Sequence, residues 1–281
     1  MREWPHTRTL LRTHRIFAAP SYDAMRFPVL GSLSLFAFCV PFAAQAWGPT
    51  GHRTVGLVAE QHLGKKAKKA VYRILGTESL AIASTWMDDV RSDHAWDHTR
   101  DWHWVTIPDG GTYASAERNP KGDVVEAIGR MQALLRSDTV PAERKREHLR
   151  MLIHMVGDMH QPLHVGRGDD KGGNDLQVQW MKKGSNLHRV WDSEMIELEG
   201  LSYTELAASL DHPTREQVKA WQEGTVAQWA EENIPLRPDI YAVEPGDNLG
   251  YEYKYRNWAT VRQQLLKGGI RLAALLNAIY G

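Results

Sequence analysis

The chain is 281 residues long and balances 34 Lys and Arg against 34 Asp and Glu, with 13 His, 11 Trp and a single Cys. Net neutrality excludes a polycation that grips polyanions by overall positive charge. One cysteine excludes a disulfide framework and a thiolate metal site.

Residues 1–24 scatter arginine and histidine without periodicity. Met25–Ala46 then reads as a secretory signal peptide, with one basic residue, an apolar run and a small-x-small end at Ala44-Gln45-Ala46. The run is short for a membrane span and contains Pro41. The pattern predicts a start at Met25 and cleavage after Ala46, so that residues 1–46 are lost and a domain of 235 residues begins at Trp47. Cys39 leaves with that leader, and Phe38 before it argues against a lipid anchor. The expected location is a periplasm or the outside of the cell. Residues 47–281 carry 32 acids against 29 bases, so a phosphate-bearing substrate would need bound cations to supply positive charge.

Trp47–Leu63 opens with turn residues and continues as a helix, with Val55, Val58 and His62 on one stripe and His52 a turn earlier. A lone His in a first turn is ordinarily exposed or hydrogen-bonded. The predicted new N-terminus changes its setting, because a free α-amine with a pKa near ~8 is a good metal donor once deprotonated. Lys65–Leu75 forms a second helix with a solvated lysine face. Ile82–Arg91 is expected as a short helix ending at Asp88 and Asp89, a pair that ordinarily marks a solvated surface. Asp101–Pro108 is aromatic and strand-like. His103 within it, between Trp102 and Trp104, is either a hydrogen-bonded core histidine or a ligand.

Residues 109–121 form a Gly, Pro and Asn loop, and a helix resumes at Gly122 with Val124, Ile128, Met131 and Leu135 at helical spacing. After Pro141 begins the helix that carries the most informative stretch, His154–Asp192. His154, Asp158 and His164 form H-x3-D-x5-H, and His188 with Asp192 repeats H-x3-D. Spacing of i, i+4 puts His and Asp on one helix face, a two-pronged ligand for a borderline metal such as zinc. His154 and Asp158 lie nearly opposite Leu149, Ile153 and Val156, so this helix is expected to be buried on both sides. His160 falls on the Leu149/Val156 face and reads as packing. Pro162 ends the helix and lets His164 turn back. Asp170–Asn174 is a glycine-rich turn, and Leu176, Val178 and Trp180 with the turn Met181–Asn186 suggest a hairpin. Beyond Ser202 the chain is helical, including Thr214–Trp229 and Trp258–Tyr280, with a polar connection at 232–249. No repeat or second domain interrupts 47–281.

In that order, these residues resemble the trinuclear-zinc family of exported, single-strand-specific type I nucleases of fungi, plants and bacteria. The carriers are W-G-x-x-G-H at 47–52, W-x-D at 86–88, His103 between tryptophans, H-x-x-x-D-M-x-Q-P-L-H at 154–164, G-G-N at 172–174 and N-L-H-x-x-W-D at 186–192. The resemblance implies an all-α, mainly helical single domain with a small β-hairpin and three zinc ions in a cleft. Carried over by position, the first zinc takes Asp88, His103, His154 and Asp158. The second takes His164, His188 and Asp192, and the third takes the backbone of Trp47, His52 and the bridging Asp158. This selects Asp88 over Asp89. Trp104 and Asn174 match positions used for base stacking and near the scissile phosphate. Two departures stand out: the disulfides common in fungal members are absent, and Thr106 occupies a position where a base-binding acid or amide is frequent.

The implied activity is zinc-dependent hydrolysis of single-stranded DNA and RNA to 5′-phosphate products, with 3′-nucleotidase action on nucleotides. Asp88 would orient the attacking water or accept its proton, and Asp158 would serve two ions. No membrane anchor or protein partner is implied. The related zinc-dependent phospholipase C typically has Glu where this chain has Asp192. A non-catalytic exported zinc-binding protein would more often carry a flexible His-rich tract.

Overall fold

Apolar residues at helical spacing carry most of the described residues into helices, and the helices bury one large core and a small second cluster of Val58, Ala207, Leu266 and Ile270. The computed structural model describes residues 47–281; the leader, the start at Met25 and Cys39 fall outside them. The first helix, Pro49–Gln61, has proline at its first position, where φ is pre-set and no amide is needed. It lies along the C-terminal helix, Tyr251–Tyr280. Their close approach depends on Gly269, because a Cβ there would lie 2.5 Å from Val58 Cβ and 3.0 Å from the Val55 carbonyl oxygen.

The Val124–Arg136 helix starts at Asp123, whose side chain accepts the Glu126 amide. It packs on the central helix, Ala142–Met159, in which every residue from Met151 to Met159 is buried. Burial on both faces follows the placement of Leu149, Ile153 and Val156 opposite His154 and Asp158. A helix end buried this deeply needs partners for its last carbonyls. Asn233 Nδ2 donates to the Met159 carbonyl at 3.1 Å, Gln264 Nε2 donates to the His160 carbonyl at 3.1 Å, and Gln264 also bonds Asn233 Oδ1 at 2.7 Å. His160 turns into this network, bonding the Val156 carbonyl through Nδ1 and accepting Arg271 at Nε2.

Five expected elements differ. Ile82–Arg91 is two helical turns, Leu80–Ala83 and Trp86–Asp89. Ser84 and Thr85 between them donate their hydroxyls to the Ala81 and Ile82 carbonyls, the local side-chain bonding that competes with a continuous helix. In the aromatic stretch at Asp101–Pro108, residues Asp101–His103 end a 3₁₀ helix, His94–His103, and only Val105–Thr106 is a strand, parallel to Val165–Gly166. The hairpin pairs Gln177–Trp180 with Lys183–Asn186, so its turn is Met181-Lys182 alone, with φ of 50° and 67°. Asn248–Leu249 adds a third, parallel strand. Thr214–Trp229 breaks at Gly224 into Arg215–Gln222 and Val226–Glu231, each opened by its own capping box from Thr214/Gln217 and Thr225/Gln228. The C-terminal helix begins at Tyr251, earlier than the apolar pattern from Trp258 suggested. The result is mainly helical with small sheets, as the sequence implied. No helix among the described residues is long and apolar enough to cross a membrane.

Candidate metal centre

Three groups of buried or half-buried side chains converge among the described residues: His52 with His154 and Asp158, Asp88 with His103 and His154, and His164 with His188 and Asp192. The central helix supplies His154 and Asp158 one turn apart. Asp158 is fully buried between the first two groups. Its Oδ2 lies 2.9 Å from His103 Nδ1 and 3.2 Å from His154 Nε2, and its Oδ1 lies 3.2 Å from His52 Nε2. His154 is common to both groups, 3.9 Å from Asp88 Oδ1. In the third group Asp192 Oδ2 is 3.1 Å from His188 Nε2, and Oδ1 is 3.7 Å from His164 Nε2.

Three of the imidazoles are aimed by their other nitrogen. His154 Nδ1 donates to the Ser84 carbonyl, His164 Nδ1 to the His103 carbonyl and His188 Nδ1 to the Gly172 carbonyl, each at 2.7 Å. Those bonds fix the tautomer and leave Nε2 as the inward lone pair, the usual way a protein orients a metal-binding histidine. Just after His188 the helix widens to π geometry at Val190–Glu194, a stretch that contains Asp192; such a distortion is common at functional sites. The carbonyl of Asp192 accepts the Gly48 amide at 2.7 Å, which ties the segment carrying Trp47 to this group.

Several inward atoms have no hydrogen-bond partner although they are buried: both ring nitrogens of His52, Asp88 Oδ1, Asp158 Oδ1 and His164 Nε2. Leaving such groups unpaired is costly. His52 Nε2 and Asp158 Oδ1 are neighbours at 3.2 Å yet are not aligned to bond one another, as expected of two lone pairs aimed at one cation. Five imidazoles and three carboxylates without sulfur match the donor preference of zinc. The residues therefore fit metal ions.

The buried charges of these groups act on one another. Burial works against ionised Asp158, but His154, His103 and His52 hold its carboxyl well below the ordinary value. Burial lowers His154 less than Asp158 and Asp88 raise it, so this imidazole is shifted upward. His164 is pushed up to about 9, its burial outweighed by Asp192 and Asp158. Burial pulls His103 down to about 4 despite Asp158, and burial with the neighbouring His154 lowers His52.

All the side chains singled out in sequence as ligands, from His52 to Asp192, fall in these groups. Asp89 points elsewhere and accepts a bond from Thr85. Trp104 directly follows the 3₁₀ helix and is 38% exposed. Asn174 donates to the Lys171 carbonyl at 2.9 Å. Two residues among the candidate ligands take roles that the sequence alone did not assign. Gln161 donates to Asp192 Oδ1 at 2.5 Å and accepts the Leu163 amide. Gly157 backs His52, since a Cβ there would lie 2.8 Å from its Nδ1. The signal for Gly157 was a glycine inside a helix, between two candidate ligands.

The chain matches the family model described as S1/P1 Nuclease over residues 47–281. It is 33% identical to Endonuclease 2 of Arabidopsis thaliana, over 84% of this chain and 91% of the relative. Identity is 32% to Endonuclease 4 of the same plant, over 84% and 90%. It is 29% to Nuclease P1 of Penicillium citrinum, over 84% and 98%.

Proposed function

The chain belongs to the S1/P1 nuclease family and is a hydrolytic nuclease, and we propose that it cuts single-stranded DNA and RNA at a centre of three zinc ions, leaving 5′-phosphates. We propose further that it acts as a 3′-nucleotidase at the same centre, that residues 1–46 are removed on export, and that the enzyme works in a periplasm or outside the cell. The observation that carries this reading is Asp158, fully buried, with one oxygen toward His52 and the other toward His103 and His154.

In this reading Asp88, His103, His154 and Asp158 hold one ion, and His164, His188 and Asp192 hold another. The third is held by His52, Asp158 and the amine and carbonyl of Trp47. Bound zinc supplies acidity to water, bringing its pKa to about 7, and positive charge against phosphate oxygens. That accounts for a near-neutral protein acting on a polyanion. Asp88 stands closest to solvent of the three carboxylates, with its Oδ1 ion-paired to Arg91 Nε at 3.3 Å. It orients the attacking water and accepts its proton. Asn174 contacts the scissile phosphate. Trp104, one residue after His103 and open to solvent, stacks an unpaired base. A duplex hides its bases, so this contact favours single strands.

The test uses protein beginning at Trp47, given single-stranded DNA, single-stranded RNA and duplex DNA with and without a chelator. Chelator-sensitive cutting of the single strands, restored by zinc and leaving 5′-phosphates, is expected. Chelator-resistant cutting, or equal rates on duplex, would overturn the proposal.

A further inference from the structure

The surface charge of this near-neutral domain is unevenly placed. The Lys65–Leu75 helix carries Lys65, Lys66, Lys68, Lys69 and Arg73 and no acid, and all five cations are exposed. None of the five is ion-paired among the described residues; Lys68 lies 5.9 Å over the Tyr72 ring. Stability does not explain the arrangement. The four lysines crowd the helix's N-terminal turns, at the positive end of its macrodipole, where cations are unfavourable. The pairs 65/68, 65/69 and 66/69 stand three or four residues apart, where like charges repel. Gly64, the residue before the helix, offers no side-chain cap. Across a cleft of about 550 Å³ the same positive character continues, with Arg73 on one wall and Lys145 and Arg146 on the other, beside the single acid Glu143.

We propose that this face is a second nucleic-acid site, a track for the phosphate backbone of the single strand flanking the one being cut. The proposal rests on the nuclease reading above. Lysines are point charges that need no base and little geometry, so they suit sequence-independent backbone binding. Arg146 and His154 share the central helix eight residues apart, which is about 12 Å along its axis at 1.5 Å per residue. A dinucleotide seated on the clusters leaves the track empty, whereas a long strand occupies both. The track then raises affinity for long substrates without touching chemistry.

The test compares the wild-type enzyme, starting at Trp47 and loaded with metal, with the variant Lys65→Gln/Lys66→Gln/Lys68→Gln/Lys69→Gln. The measurement is kcat/KM for poly(dT) and for a dinucleotide across a salt series. Every single-strand phosphate that the protein no longer neutralises flattens the slope of log kcat/KM against log salt by about 0.7. For poly(dT) the variant's slope is expected to fall by roughly 2 to 3 with KM raised, while the dinucleotide is cut at the wild-type rate. The matching Lys→Arg variant keeps the wild-type slope. So does a control that neutralises four exposed cations elsewhere, Arg136, Lys183, Arg215 and Lys219. An unchanged slope in the Lys→Gln variant overturns the track, as does an equal drop in the control. An unchanged slope with abolished binding to phosphatidylglycerol vesicles would assign the face to a membrane surface and also overturn it. Failure of wild type to cut either substrate would count against the nuclease reading itself.

Discussion

Gly157→Ala tests the centre at its tightest point. Inside a helix this substitution ordinarily stabilises, by about 1 kcal/mol. Here the added methyl would lie 2.8 Å from His52 Nδ1 and 3.1 Å from its Cε1, well inside ordinary van der Waals separation. The ring cannot simply retreat, because it is fully buried and stacks on His154 with centroids 4.0 Å apart. Overpacking of this kind costs about 1–3 kcal/mol, so the metal-free variant should be between unchanged and about 2 kcal/mol less stable. The functional effect is larger. A zinc–nitrogen bond tolerates displacement of about 0.2 Å, and relieving this overlap requires more. The variant should lose about one ion per chain after dialysis, keep the others, and lose most of its activity. Metal content by atomic emission, denaturation of the metal-free protein and the nuclease rate check this together. Gly129→Ala is the control: its helix position is exposed with nothing within 4 Å, so it should gain about 1 kcal/mol and keep full metal and rate. A full complement of metal and an unchanged rate in Gly157→Ala would refute the placement of His52.

Asp158→Asn removes the carboxylate shared by two groups; it should cut activity by more than about 100-fold, the upper range for groups that merely support a ligand, and deplete two ions in metal analysis. Gln161→Leu takes away the amide bond to Asp192 and should weaken zinc retention at the His164 group by about 10- to 100-fold, read by competition with a chromophoric chelator. The pH dependence of the metal-free protein follows from His164, raised to about 9 by Asp192 and Asp158 against its burial. A raised imidazole stabilises the fold fully below its unfolded value near 6.5 and loses that contribution as pH rises through about 9, at most about 3 kcal/mol. Chelated protein should therefore lose stability between pH 6.5 and 9 in urea titrations. Because metal needs the unprotonated nitrogen, zinc binding at pH 7 should release protons from His164 and His154, seen with a pH indicator. Zinc uptake without proton release would contradict that charge assignment.

The candidate ligands were legible in the sequence because metal-binding chemistry imposes spacing. His154 and Asp158 meet across one helical turn, and no tertiary information is needed to see it. The same logic put His160 on the apolar face, where Arg271 and the Val156 carbonyl hold it. What failed to show was set at long range. Val105–Thr106 is a strand only because Val165–Gly166 comes to lie beside it, and neighbouring residues of the 3₁₀ helix look equally strand-like alone. The hairpin turn was misplaced because Gly184 is the usual turn signal, yet the positive φ falls on Met181 and Lys182. Asn248 compensates there, accepting the Lys182 amide at 2.7 Å, and it is 66 residues away. Breaks could have been read: T-x-x-Q at Thr225–Gln228 is a helix start inside what otherwise looks like one amphipathic run.

The pair His188 and Asp192 shows where spacing alone stops. An ideal α-helix puts i and i+4 side chains in reach, but here the turn between them enters π geometry at Val190–Glu194. The widening has a structural consequence in both directions. Trp191 is fully buried and donates its indole N–H to Tyr253 Oη at 2.8 Å, and Tyr253 in turn donates to the Ile240 carbonyl at 2.7 Å. One residue later, the Asp192 carboxylate faces His164 and His188 while its carbonyl receives Gly48. A single wide turn thus anchors the core, the third candidate group and the segment leading to Trp47. The H-x3-D pattern offered two candidate ligands, but not that the residue between them would join the C-terminal helix to the candidate metal centre.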